Sequence, residues 1–306
     1  MRQFSLVLGV FTMLLLVGCG SSPPRVLTAT TGPLPSPQTV TYCVDGGKPL
    51  TLDVYQPRTG TGPRSLLVFV HGGSWAFGSS RISEQSQLVQ QVIAEALDRG
   101  ITVASVNYRL APTDPWPAQV IDVRCAVRYL RANAAHWQVD PQHFVAMGNS
   151  AGAQLMSLVA LSSGQVPEWD TSQWAGQSTA MSAVVDLWGP IDLLAGGWSQ
   201  TALEIGRVEF QVSFGMQDAV LRAASPITYV APGAPPFLIV QGSADTLVPP
   251  AQSRELWSRL LADGGKATLV EVANAGHELR PSGGAITPTV DVVAEETVSF
   301  LASVTA

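Results

Sequence analysis

The sequence predicts an α/β fold built on a mostly parallel central sheet with helices on both faces. Three observations carry this expectation. Short apolar runs of the kind buried on both faces recur along the chain. Segments with one apolar helical face fill the gaps between them. After an N-terminal stretch unlike a folded domain, about 270 residues remain, which suits one large α/β domain better than two.

Residues 40–44 and 50–55, separated by a turn beginning Asp45-Gly46-Gly47, predict an antiparallel hairpin. Buried strands are expected at 66–70, 101–106, 144–147, 183–188, 237–241 and 268–272. Leu88, Val89, Val92, Ile93, Ala96 and Leu97 mark one helical face. Leu256, Trp257, Leu260 and Leu261 mark a second, and Val293, Phe300 and Leu301 a third. Two segments break the alternation. Residues 162–180 are polar and loop-like, equally well an ordinary surface connection. Residues 191–224 form a longer, partly helical insertion on the carboxyl side of the sheet, where ligands bind in such folds, and are expected to supply a small cap or pocket wall.

The N-terminus predicts export. Arg2 precedes an apolar core of 13 residues, 6–18, too short to span a bilayer. The core ends at Leu16-Val17-Gly18-Cys19, which resembles the bacterial lipoprotein box. That reading makes 1–18 a signal peptide, Cys19 a lipidated residue anchoring the chain to a membrane, 19–37 a flexible tether and 38–306 the folded domain. The competing reading is an ordinary cleaved signal, for which no convincing small-x-small site follows. In an exported chain Cys43 and Cys125 either form a disulfide or lie separately as small buried residues; the sequence leaves both open.

A net charge of −6 with no Lys/Arg cluster argues against nucleic-acid binding. There is no H-E-x-x-H, no C-x-x-C and only four histidines, so a metal site has no support. Nothing in the sequence reports the oligomeric state.

The chemistry is expected at Gly148-Asn149-Ser150-Ala151-Gly152, directly behind an apolar run. A strand, G-x-S-x-G and a helix in succession hold a serine on a sharp turn with its hydroxyl above the sheet edge. Attack by such a serine requires a base, an acid that orients the base, and amide donors for the developing oxyanion. His277, in the loop after the last strand, is the candidate base, whereas His136 and His143 are expected to be structural. Asp245, just past the strand at 237–241, is the candidate acid; Asp192 competes with it, and Asp186 reads as structural. His71-Gly72-Gly73-Ser74-Trp75, after the strand at 66–70, is the candidate source of oxyanion donors, joined by the N–H of Ala151.

These motifs, with Asn107-Tyr108-Arg109-Leu110-Ala111-Pro112, resemble the α/β-hydrolase esterase/lipase superfamily. The similar branch is that of hormone-sensitive-lipase-like carboxylesterases and their feruloyl and acetyl esterase relatives. The resemblance implies a cofactor-free serine carboxylesterase acting on a small-molecule ester. It assigns Ser150 as nucleophile, His277 as base and Asp245 as orienting acid, with Gly73, Ser74 and Ala151 as donors and Gly72 assisting. Two positions depart from the pattern: Ser74 stands where many relatives have a third glycine, and Asn149 replaces an acidic residue. Amide hydrolysis by the same triad, formamidase- or peptidase-like, is the alternative chemistry, and a catalytically silent tethered binding protein the alternative class. Trp75 and Trp188 flank the expected site as pocket walls or, more commonly for such residues, as core.

Overall fold

A computed structural model of the chain describes residues 33–58, 60 and 62–305. The export segment and Cys19 therefore lie outside the described residues. Eight strands, β1 (Gln38–Asp45), β2 (Lys48–Tyr55), β3 (Arg64–Val70), β4 (Thr102–Val106), β5 (Val139–Asn149), β6 (Ala183–Leu187), β7 (Phe237–Gly242) and β8 (Ala267–Val272), form one sheet. Their order is β1-β2-β4-β3-β5-β6-β7-β8. The first two pair antiparallel across the Gly46-Gly47 turn, and β2 pairs antiparallel with β4. Every later pairing is parallel, as β3 with β5 from Leu66↔Phe144 to Val70↔Gly148. Parallel neighbours need crossovers, and helices supply them.

The helices are α1 (Gln87–Asp98), α2 (Ala118–Ala132), the short α3 (Ala134–Trp137), α4 (Ala151–Leu161), α5 (Gln200–Phe210), α6 (Ala219–Ala224), α7 (Ala251–Ala262) and α8 (Val290–Thr305). Side chains alternate across a strand, so β3 feeds two cores at once. Leu66, Val68 and Val70 pack with Val123, Val127, Leu155 and Leu158 of α2 and α4. Leu67 and Phe69 pack with Val89, Val92 and Ile93 of α1 and Val298 and Leu301 of α8. Each such side chain, fully buried, contributes about 1.5–3 kcal/mol. The fold is the expected α/β arrangement, and the strands fall where the apolar runs put them. The start of β5 at Val139 is earlier than the apolar run, because residues 140–143 are partly solvated and interrupt the apolar pattern.

The polar segment 162–180 has a definite task. The Gln173 amide bonds both the N–H and the C=O of Val44, each at 2.9 Å, and Trp174 Nε1 donates to the Tyr42 carbonyl at 2.7 Å. A side chain thus stands in for a ninth strand and blunts the edge of β1. From α2, Arg124 grips Asp170 and Arg128 grips the carbonyls of Thr171 and Trp174. Nearby, Cys43 on β1 is joined to Cys125 on α2, with Cα atoms 6.4 Å apart; of the two readings left open, the structure adopts the bonded one. Among the described residues no helix is long and apolar enough to cross a membrane.

Candidate active site

Ser150 follows β5 directly and caps α4, with φ 53° and ψ −121°. That backbone region is costly for a residue with a β-carbon, so neighbours must enforce it. They do: Ser150 N–H donates to the Leu187 carbonyl at 2.9 Å, while its own carbonyl accepts from Ala153 and Gln154. Gly152 is obligatory for a different reason, since a β-carbon there would overlap the Val70 carbonyl oxygen. The strand-to-helix turn can form only where α4 touches the end of β3.

His277 comes over this serine from the loop after β8. Its Nε2 lies 3.0 Å from Ser150 Oγ, and its Nδ1 lies 2.8 Å from Asp245 Oδ2. The loop is braced to its neighbour, as Ala244 N–H donates to the Ala275 carbonyl at 2.8 Å. Asp245, fully shielded at its side chain, also accepts at Oδ1 from the N–H groups of Leu247 (2.8 Å) and Val248 (3.0 Å). Gln241 Nε2 donates to its Oδ2 at 3.2 Å. A carboxylate so held requires a donor at His277 Nδ1, which leaves Nε2 with its lone pair toward the serine hydroxyl. The three residues predicted from sequence are brought together in a continuous hydrogen-bonded line.

The other candidates separate cleanly. Asp192 spends Oδ1 on the Leu194 N–H at 2.9 Å, holding its own turn. Asp186 is buried beneath the site, bonded to Ser157 Oγ (2.6 Å) and Gly189 N–H (2.9 Å); burial lifts its pKa to about 6. His143 pairs with Asp140 at 2.8 Å, and His136 packs edge-on against Trp137. His71 stacks on Tyr108 with ring centroids 4.4 Å apart and Nδ1 2.7 Å from the Gly72 carbonyl. Burial drops its pKa to about 4, so the ring is neutral near pH 7.

Gly73, Ser74 and Trp75 follow β3 with φ of 106°, 54° and 58°. A β-carbon on Gly73 would collide with the Phe77 carbonyl, so the loop folds back on itself only with glycine there. Among the described residues nothing accepts from the N–H groups of Gly73, Ser74 or Ala151. Gly72 is a correction. Its N–H donates to Asn149 Oδ1 at 3.0 Å and is unavailable to a substrate oxygen. Asn149, one of the two departures noted in the sequence, thus locks the loop after β3 to the serine turn. Trp75 and Trp188 are both buried and line no open wall.

Sequence reading missed Asn149 in this role, and also Gln241, whose Oε1 accepts from Ser253 Oγ at 2.9 Å while its amide holds Asp245. A signal existed for the second: a glutamine at the end of an otherwise apolar, fully buried strand must find partners.

Known proteins share this architecture. Esterase LipC of Mycobacterium tuberculosis is 32% identical over 79% of this chain and 60% of its own length. Isoprenylcysteine alpha-carbonyl methylesterase ICME of Arabidopsis thaliana is 27% identical over 74% of this chain and 53% of its own length. The chain spans about half the length of the curated relatives it matches. Among solved structures, a truncated carbohydrate esterase from gut microbiota superimposes with a TM-score of 0.75 at 24% identity, covering 89% of this chain and 97% of that one. Esterase 2 of Thermogutta terrifontis, phosphonylated by cyclosarin, superimposes with a TM-score of 0.70 at 25% identity, covering 89% and 95%. The sequence model of one family matches residues 52–260, more than half of the chain and the run from within β2 through most of α7, so the chain belongs to the BD-FAE family.

Proposed function

We propose that this protein is a serine carboxylic-ester hydrolase acting on small to medium acyl or aryl esters. The observation that carries the reading is the hydrogen-bonded line from Ser150 Oγ through His277 to Asp245. In this mechanism Ser150 Oγ bonds to the ester carbonyl carbon as His277 Nε2 takes its proton. The carbonyl oxygen, now anionic, accepts from Gly73, Ser74 and Ala151, each such donor contributing about 3 kcal/mol to the transition state. Collapse expels the alcohol, which carries away the proton from His277, and leaves an acyl-serine. Water then repeats the sequence and releases the acid. Asp245 holds the imidazole in the required tautomer and orientation.

The test is a panel of p-nitrophenyl acyl esters of increasing chain length, a feruloyl ester, an acetylated sugar and an N-formyl arylamine. Turnover of the short esters that vanishes in Ser150→Ala supports the reading. Preference for the formamide replaces it with amide hydrolysis, and no turnover of any substrate with a silent binding protein.

We further read Cys19 as lipidated, holding the enzyme on a membrane of the cell envelope through residues 20–37. Pro33, Leu34 and Pro35 lie against Arg58, Ala94, Leu97 and Asp98. That contact is at the end of α1 leading into β4, opposite the strand ends from which Ser150, Asp245 and His277 emerge. Labelled lipid incorporated by the natural chain and lost in Cys19→Ala supports the anchor; equal incorporation in both removes it.

A further inference from the structure

We propose that Gln154 is a positioning residue for the oxyanion loop, coupling the donors of Gly73 and Ser74 to the seating of the insertion at 191–224. The proposal rests on the reading of Ser150 as nucleophile and deepens it. Gln154 lies one helical turn beyond Ser150 on α4 and is fully buried. Its Oε1 accepts from Trp75 Nε1 at 3.0 Å, and its Nε2 donates to the Ala224 carbonyl at 2.7 Å. An indole N–H can only donate and a carbonyl can only accept, so this amide has one permitted orientation.

Trp75 needs such a hold. It ends a run of three residues at positive φ, a backbone state that is a genuine outlier for a bulky side chain. Its carbonyl accepts from Ala111 N–H at 3.1 Å. Its ring meets Phe210 and Phe214 of the insertion edge-on, with centroids 5.2 Å and 6.2 Å away. The indole is therefore fixed at two places: by nitrogen to the helix that carries Ser150, by ring to the insertion. Ala224 ends α6, so its carbonyl has no partner within its helix. Gln154 satisfies that carbonyl and ties α6 to the same point. Shifting the insertion breaks or drags this link, and Gly73 and Ser74, two residues and one residue before Trp75, move with it.

The N–H groups of the loop act on the oxyanion and not on bound ester, so loosening the loop lowers kcat more than it alters KM. The experiment measures p-nitrophenyl acetate kinetics for the natural protein, Ser150→Ala, Gln154→Leu, Trp75→Phe and the Gln154→Leu/Trp75→Phe double variant. Active-site titration corrects each variant that keeps Ser150 for its folded fraction, and circular dichroism checks the folding of Ser150→Ala. Trp75→Phe keeps a ring against Phe210 and Phe214 while deleting the N–H, and it decides the matter where Gln154→Leu does not fold. The expected result is a kcat loss of about 10- to 100-fold in each single variant with KM changed less than about threefold. The double variant is expected to be no worse than the poorer single one, because both remove the same link. A titration-corrected kcat within about twofold of the natural protein overturns the proposal, as do losses that multiply in the double variant. Full activity in Ser150→Ala removes the nucleophile assignment instead, a result distinct from intact kcat in the Gln154 and Trp75 variants.

Discussion

Glu209 offers the sharpest test of the energetics, because its carboxyl group is buried with too few partners. It sits on α5 with no exposed surface. Oε2 lies 3.4 Å from Gln119 Nε2, and Oε1 has no partner among the described residues. Burial pushes its pKa up to about 9, and the nearby Tyr108 hydroxyl is raised as well, by its own burial first and by this carboxyl second. The unfolded chain ionises Glu209 near the ordinary glutamate value, about 4.3. Between those two values the folded state holds a proton that the unfolded state has lost, so stability falls as pH rises. The slope is about 1.4 kcal/mol per pH unit, or about 4 kcal/mol from pH 5 to pH 8. Glu209→Gln keeps the shape and removes the titration. Urea unfolding of both proteins at pH 5 and pH 8 isolates the effect, since Asp186, whose pKa burial lifts to about 6, titrates equally in each and cancels. The variant should gain about 4 kcal/mol over the natural protein on going from pH 5 to pH 8. Because α5 belongs to the insertion, local release of that helix caps the loss, and hydrogen exchange of its amides then rises with pH. Unfolding curves that stay parallel within about 1 kcal/mol, with α5 exchange no faster than the intrinsic pH dependence of amide exchange, refute the reasoning.

Replacing Asn149 by Ala strands the Gly72 N–H in the interior and should cost about 1–3 kcal/mol in urea unfolding. Ser74→Gly should keep kcat for p-nitrophenyl acetate within about twofold, because only the backbone N–H is used, while relief of a left-handed residue adds about 1 kcal/mol or less to stability. Paired Cys43→Ser and Cys125→Ser substitutions open a loop with a sequence separation of 82 and should lower stability by about 4–5 kcal/mol on a chain-entropy estimate, read as a urea midpoint that no longer responds to reductant.

The strands were legible because burial on both faces writes itself as an unbroken apolar run, as in Phe144-Val145-Ala146-Met147. Ser150, Asp245 and His277 were legible for a related reason: each immediately follows such a run, or lies a few residues beyond it, at the carboxyl end of a strand. Relations between side chains from distant segments were not. Gly72 looked like a donor until Asn149, 77 residues on, was found to hold its N–H. The Cys43–Cys125 bond depends on a distance between β1 and α2 that no spacing encodes. Residues 162–180 read as a loop because their polar side chains serve backbone groups of another strand, and Gln173 has no local pattern that names Val44 as its partner.

Backbone strain shows how the sheet and the site depend on each other. Of the ten described non-glycine residues at positive φ, seven (Ser74, Trp75, Ser150, Trp188, Asn274, Glu278 and Leu279) lie in loops at the carboxyl ends of β3, β5, β6 and β8. Each costs about 1–3 kcal/mol and persists only where its surroundings over-determine it. Those surroundings are a relay across the sheet. Ser150 N–H reaches the Leu187 carbonyl at the end of β6, Trp188 N–H reaches the Val240 carbonyl on β7, and Ser243 N–H reaches the Val272 carbonyl on β8. The loops after β5, β6 and β7 are thus each tied to the next strand in sheet order, and the separation of Ser150 from His277 is fixed by parallel register rather than by either loop alone. Local preference opposes these conformations one residue at a time, while register enforces them together. A serine turn, a carboxylate and an imidazole from three separate segments therefore meet within hydrogen-bond reach because the strands beneath them cannot slip independently.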